Sequence, residues 1–210
     1  DRMSKVSVVH INGIYDKGRT RSNRAEALAI VGEIMRRLKD EDLSQRSIGV
    51  VSFSQVQKDL IENMLTDELS KYPELEQKVS QCDEPIFIKN IENVQGDERD
   101  VILFSVGYGP DSNGNVSMNF GPLNNRGGER RLNVAVSRAR YEMIIYSTLR
   151  AEQIDLKHTK SKGVEGLKNF LAFAERGTVV FPTTAAGIKN KRNLVTLIAN
   201  EIAERGYKVD

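Results

Sequence analysis

Hydrophobic positions along this chain change rhythm several times. "VSVVHI", near the start, is apolar and β-branched at four of its six positions. That β-rich run predicts a strand. Leu28, Val31, Ile34, Met35 and Leu38 then recur at three- and four-residue intervals, which predicts an amphipathic helix. "IGVVSF" predicts a second strand, and Val56, Leu60, Met64 and Leu65 a second helix. "PIFIKNI", "DVILFSV" and "EMIIYST" predict three more strands, the last preceded by a helical stretch around "RRLNVAVSRAR". Short apolar runs alternating with helices predict a three-layer α/β domain around a largely parallel sheet.

Two stretches break the alternation. "GYGPDSNGNVSMNFGPLNNRGG" is rich in Gly, Asn and Pro and predicts a long loop. Loops of that length inside a compact domain commonly carry function. After Ser147 the β/α rhythm fades into a helix over "VEGLKNFLAFAERG", a linker at "FPTTAAG" and one more helix in "NLVTLIANEIAERGYKVD". The expected organisation is an α/β domain at 1–150, a helical extension at 151–180, and a linker plus the start of a following domain at 181–210. Opening on Asp1 rather than Met, the chain reads as a piece of a longer protein.

Composition narrows the class. Hydrophobic residues make up 39% and charged residues 29% of 210, a globular balance. No apolar run reaches bilayer-spanning length, so no membrane partner and a cytoplasmic location are expected. Cys82 is the only cysteine, which excludes a disulfide framework. His10 and His158 are far apart in sequence, and no metal site is predicted. A net charge of +2 is too small to argue for nucleic acid by itself. Arg126, Arg130, Arg131, Arg138 and Arg140, however, crowd one stretch.

"GIYDKGRT", residues 13–20, is one residue away from the phosphate-binding loop G-x-x-x-x-G-K-[ST], with Arg19 in the lysine position. In such a loop the Lys and Ser/Thr open the next helix, whose N–H groups face the phosphate. Here Asn23 is the better N-cap, with Glu26 three residues on in a capping-box pattern. The helix is therefore expected to begin after Asn23, and "GIYDKGRT" to be an ordinary loop. An independent phosphate-loop NTPase would require this loop's N–H groups to form an anion cradle.

Four stretches carry a stronger signal. "RSNRAEA", "VVSFSQVQ", "NVQGDERDVILFS" and "GERRLNVAVSRAR" occur in that order. They resemble the second motor domain of superfamily 1 helicases, in the branch that contains the nonsense-mediated-decay helicase. The long loop most resembles large bacterial members, in which a nuclease-like domain can follow. The "LIANEIAERGYKVD" tail is similar to the start of such a domain.

The resemblance implies a RecA-like fold without a phosphate loop. ATP and Mg²⁺ would be held mainly by an N-terminal RecA-like domain of the same protein. The other partner would be single-stranded nucleic acid, DNA favoured over RNA.

It also implies residue roles. Arg138 would reach the γ-phosphate, where a guanidinium stabilises spreading negative charge. Arg24 would be a second phosphate-facing arginine. Arg21 stands where the family often has a base-stacking aromatic. Gly96 would allow close backbone approach, Glu98 would contact the ribose, and Gln95 would couple the nucleotide to the track. Ser52 and Asn93 would contact the nucleic-acid backbone, and Gln57 matches motif four. Val94 replaces the family's usual phenylalanine.

A buried helical stripe of Leu132, Ala135, Val136 and Ala139 would leave Arg131 and Arg138 on another face. Arg24 and Arg138 are expected to open onto one edge of the sheet, with Glu98 nearby. A second reading, an interaction module that keeps the fold without catalysis, expects the two arginines not to converge.

Overall fold

The structure is a computed structural model that describes residues 5–176. The tail reading for 181–210 lies outside those residues. Five strands form one sheet: β1 (Lys5–His10), β2 (Ile48–Ser52), β3 (Phe87–Asn90), β4 (Arg99–Ser105) and β5 (Ala139–Ser147). Their order is β1-β5-β4-β2-β3, and every pairing is parallel.

Alternation within the strands feeds two cores. Ile48, Val50, Val101, Leu103 and Ile144 face one side, while Val51, Ile102, Phe104, Met143 and Ile145 face the other. On the first side lie α1 (Arg24–Lys39), α2 (Gln55–Leu69) and the short α3 (Pro73–Ser80). On the second lie α4 (Gly128–Val136) and α5 (Lys162–Arg176). This is the three-layer α/β arrangement that the alternation predicts, RecA-like as the resemblance implies, and no helix among the described residues is long and apolar enough to cross a membrane.

Of the predicted stripe on α1, Val31, Ile34, Met35 and Leu38 are buried while Leu28 turns outward; on α2 the buried line lies a residue from the predicted one. On α1 the buried line runs through Ala27, Ile30, Ile34 and Leu38, and Leu28 is 54% exposed. On α2 it runs through Gln57, Ile61, Leu65 and Leu69, leaving Val56 42% exposed. The predicted stripe counted apolar residues only, whereas the buried line admits Gln57. α3 has no counterpart in the sequence reading; it starts with Pro73 at its first turn and buries only Leu75.

β3 and β4 are joined without a helix. Residues 91–98 cross the second face of the sheet as a strap, with Ile91 and Val94 buried in that core. A parallel crossover usually takes about a dozen residues or more, most often as a helix. The rest of this face is covered by α4, α5 and Phe120 and Leu123 of the 107–127 loop.

α5 is an integral part of that layer. Phe170 meets the Phe104 ring with centroids 6.0 Å apart. The starts of α4 and α5 close around the Leu123 carbonyl. A Cβ on Gly128 or on Gly163 would each stand 2.2 Å from that oxygen. Gly163→Ala is therefore expected to lower stability by about 1–3 kcal/mol through forced backbone movement. Gly32→Ala, on the open face of α1 with nothing near its Cβ, should raise it by up to about 1 kcal/mol through helix propensity. Urea denaturation of the two variants checks the pair.

Candidate functional site

The 13–20 loop folds onto its own acid. The Asp16 carboxylate accepts the Thr20 N–H at 3.2 Å and the Thr20 hydroxyl at 3.0 Å. These bonds hold its carboxyl below the usual range. The Arg21 N–H is taken by the Asp16 carbonyl at 2.7 Å. An internal carboxylate thus occupies the position an anion would need. α1 begins at Arg24, with the Asn23 side chain accepting the Glu26 N–H at 3.2 Å. Arg21 is exposed and is the one non-glycine described residue at positive φ, 52°.

The strap and the end of α4 bring several predicted residues together. Arg138 is not on the helix: α4 ends at Val136, Ser137 caps it, and Ala139 already belongs to β5. The buried part of the expected stripe is Leu132 and Ala135. The Arg138 Nε donates to the Val134 carbonyl at 2.8 Å and Nη2 to the Ser137 hydroxyl at 2.9 Å. Its Nη1 lies 3.9 Å from a Glu98 carboxylate oxygen.

Two turns earlier, Arg131 sits 3.5 Å from Glu92 at the other end of the strap. Both arginines therefore line the strap, although Arg138 does so from the turn after α4 rather than from a shared helix face. Between them, Gln95 and Gly96 are exposed. Gly96 has φ 88°, and a Cβ there would meet nothing within 4 Å, so the glycine serves the turn conformation. Asn93 is exposed at the strap's start.

Arg24 lies elsewhere, which corrects the expectation of a shared edge. It follows the carboxyl end of β1, where Asn23 bonds Thr148 at 2.7 Å, just past β5. Arg138 precedes the amino end of β5, and its carbonyl accepts the Arg99 N–H at the start of β4. At about 3.3 Å per residue, the length of β5 separates the two backbones by roughly 25–30 Å. The cause is chain direction: one arginine follows a strand and the other precedes a parallel one. Ser52 is fully buried and donates to the Ser54 carbonyl at 2.8 Å. The arginine cluster also disperses, since Arg140 forks onto Glu84 at 2.6 and 2.8 Å and holds that carboxyl at about 2.

The residue that the sequence reading underrated is Glu26. Expected to return a capping bond, it is instead fully buried, its Oε2 accepting from the Gly107 N–H at 2.6 Å and the Ser105 hydroxyl at 2.9 Å. Oε1 accepts from the Thr148 N–H at 2.8 Å, the Asn23 amide at 3.2 Å and the Thr148 hydroxyl at 3.3 Å. The Asn23 N–H goes to Gln57, which returns a bond to the Asn23 carbonyl and another to Ser105. Burial without a cation pushes the Glu26 carboxyl up to about 7, against the pull of these donors. The local signal was present in "SNRAEA": a glutamate on the buried phase of α1.

Two curated proteins are similar to this chain. An uncharacterized ATP-dependent helicase of Mycoplasma genitalium is 36% identical over 177 residues, 81% of this chain and 15% of that protein. Its homolog in Mycoplasma pneumoniae is 36% identical over 176 residues, again 81% of this chain and 15% of the relative. The chain thus spans about 15% of the length of the curated relatives it matches. Residues 2–150, which hold the whole sheet, the strap and Arg138, match the model of the AAA domain, and the chain belongs to that family.

Proposed function

We propose that this chain is the second motor domain of an ATP-dependent helicase or translocase of superfamily 1, in the nonsense-mediated-decay-helicase-like branch. The observation that carries the reading is the placement of Arg138 beside Glu98, where the end of α4 meets the strap. A guanidinium and a carboxylate side by side fit the two ends of a nucleotide, its outer phosphate and its ribose. The triphosphate cradle is not among this chain's described residues, because Asp16 fills the one loop that resembles it.

ATP and Mg²⁺ are accordingly assigned to an N-terminal RecA-like domain that closes onto the strap. ATP supplies the phosphoryl group; this chain supplies charge and position. On closure Arg138 exchanges Glu98 for the outer phosphate oxygens and stabilises their charge as water displaces ADP. Glu98 is assigned to the ribose. Gln95 and Gly96, exposed between the two arginine–acid pairs, face the same partner. Opening and closing would move single-stranded nucleic acid along the pair of domains, with DNA the favoured substrate, Asn93 on the track and the cytoplasm as the location. Ser52 joins the track only if its bond to Ser54 opens. The motor unit is assigned to 1–150, with the extension to 176 packed on it. The names of the two relatives, ATP-dependent helicases, support the reading.

A second reading, a nucleic-acid or protein-interaction module without catalysis, is favoured by one observation: Arg24 and Arg138 do not converge. Mutant kinetics separate the two. In the protein that carries this domain, Arg138→Ala is expected to cut ATP turnover by roughly 10³, while nucleic-acid binding without nucleotide survives. Arg24→Ala, acting from the far end of the sheet, should cost much less. Near-normal turnover in Arg138→Ala, or no nucleic-acid-stimulated turnover in the wild type, would leave the module reading standing. This chain by itself, offered ATP and Mg²⁺, should hydrolyse none above background.

A further inference from the structure

Glu26 stands at a junction of four chain segments. It lies in the first turn of α1, two residues after Arg24. Its partners are the last residue of β4, the start of the 107–127 loop, and the residue after β5. Gln57, in the first turn of α2, closes the ring through Asn23 and Ser105.

Each group that faces the carboxylate from these elements is a neutral donor. No cation of the described residues lies within ion-pairing distance of it, and Arg24 is exposed on the same helix. Two glycines let the loop come this close. Gly107 has φ +72° and would press a Cβ to 3.1 Å from Gln57, and a Cβ on Gly109 would meet the Thr148 hydroxyl at 2.1 Å. A buried carboxylate ringed by donors acts as an acceptor only: an amide in its place turns its NH2 donor against a donor. An unpaired buried charge also costs stability, which argues that its benefit lies in position.

We propose that Glu26 is a positioning residue for the motor reaction: its carboxylate clamps the start of the 107–127 loop to the first turn of α1. The loop runs directly into α4 and carries Arg131 and Arg138 to the strap. The clamp thus sets where the loop that leads to α4 and its arginines begins relative to Arg24. This rests on the functional reading above for its consequence in catalysis, though not for the clamp itself.

Two measurements test it separately. In this chain, Glu26→Gln should speed amide hydrogen exchange within 107–127 by roughly tenfold while β2 and β4 exchange as in the wild type. Equal protection of the loop in both proteins would overturn the clamp. Ser105→Ala and Thr148→Val, each removing one hydroxyl donor, should move the loop in the same direction by less, and they serve if Glu26→Gln does not fold.

In the protein that carries this domain, Glu26→Gln should lower turnover about tenfold with KM for ATP unchanged. The wild-type turnover should rise through a limb near pH 7 as the carboxyl ionises, and the variant should lose that limb. A variant with the wild-type pH profile would overturn the positioning role. If the wild type turns over no ATP, the motor reading falls and the exchange data alone judge the clamp.

Stability supplies a further check, with a definite sign. The folded carboxyl, at about 7, lies above its ordinary value of 4.5. Between those values the unfolded chain releases its proton first, so ionisation favours unfolding. Wild-type stability relative to Glu26→Gln should thus fall as pH rises from about 4.5 to about 7 and level off above. Chemical denaturation of both proteins across pH 4–9 gives the difference directly, and a flat difference would mean that Glu26 carries no uncompensated charge in the folded protein.

Discussion

A parallel sheet has two apolar faces, and both have to be covered. β2 is buried at every residue and β4 and β5 over their last five, whereas β1, at the sheet's edge, has no fully buried residue. Covering two faces fixes which connections can be helices and where loops surface. α1 and α2 close one side. On the other, the short β3–β4 connection leaves room only for a strap, so α4 and α5 pack beside it. The strap seals the core with Ile91 and Val94 and turns Gln95 and Gly96 outward. The candidate site is a by-product of that solution, polar residues stranded where a helix would otherwise lie.

Much of this was legible in the chain. Five strand patterns became five strands because runs such as "IGVVSF" bury both faces and leave little ambiguity. The N-cap at Asn23 was readable because capping depends on a short local pattern. The spacing put Arg131 and Arg138 on one helix face, but α4 ends before Arg138 and hands it to the turn into β5. The stretch of arginines was less informative: Glu84, distant in sequence, fixes Arg140, and no local pattern announces such a partner.

What the chain concealed were relations across the sheet. The expectation that Arg24 and Arg138 share an edge failed because motif order says nothing about which end of a strand a residue adjoins. That depends on strand direction and on β1 lying against β5. Glu26 was hidden for a related reason. Its capping pattern was visible, but its partners are Ser105, Gly107 and Thr148, drawn from loops about 80 and 120 residues away. α3 escaped because a short helix with one buried leucine has no period to detect.

The pairing of β1 with β5 has a consequence for the order in which the molecule is made. Lys5 registers with Glu142, so the first strand has no partner in the sheet until the last has been synthesised. The face above Phe104 stays uncovered longer still, until Phe170 arrives. Contacts this distant in sequence are slow to form, and an unpaired apolar strand emerging early is prone to wrong partners. A nascent chain of this design therefore passes most of the synthesis of this domain as an incomplete sheet, whose edge strand and second face can be completed only once β5 and α5 have been made.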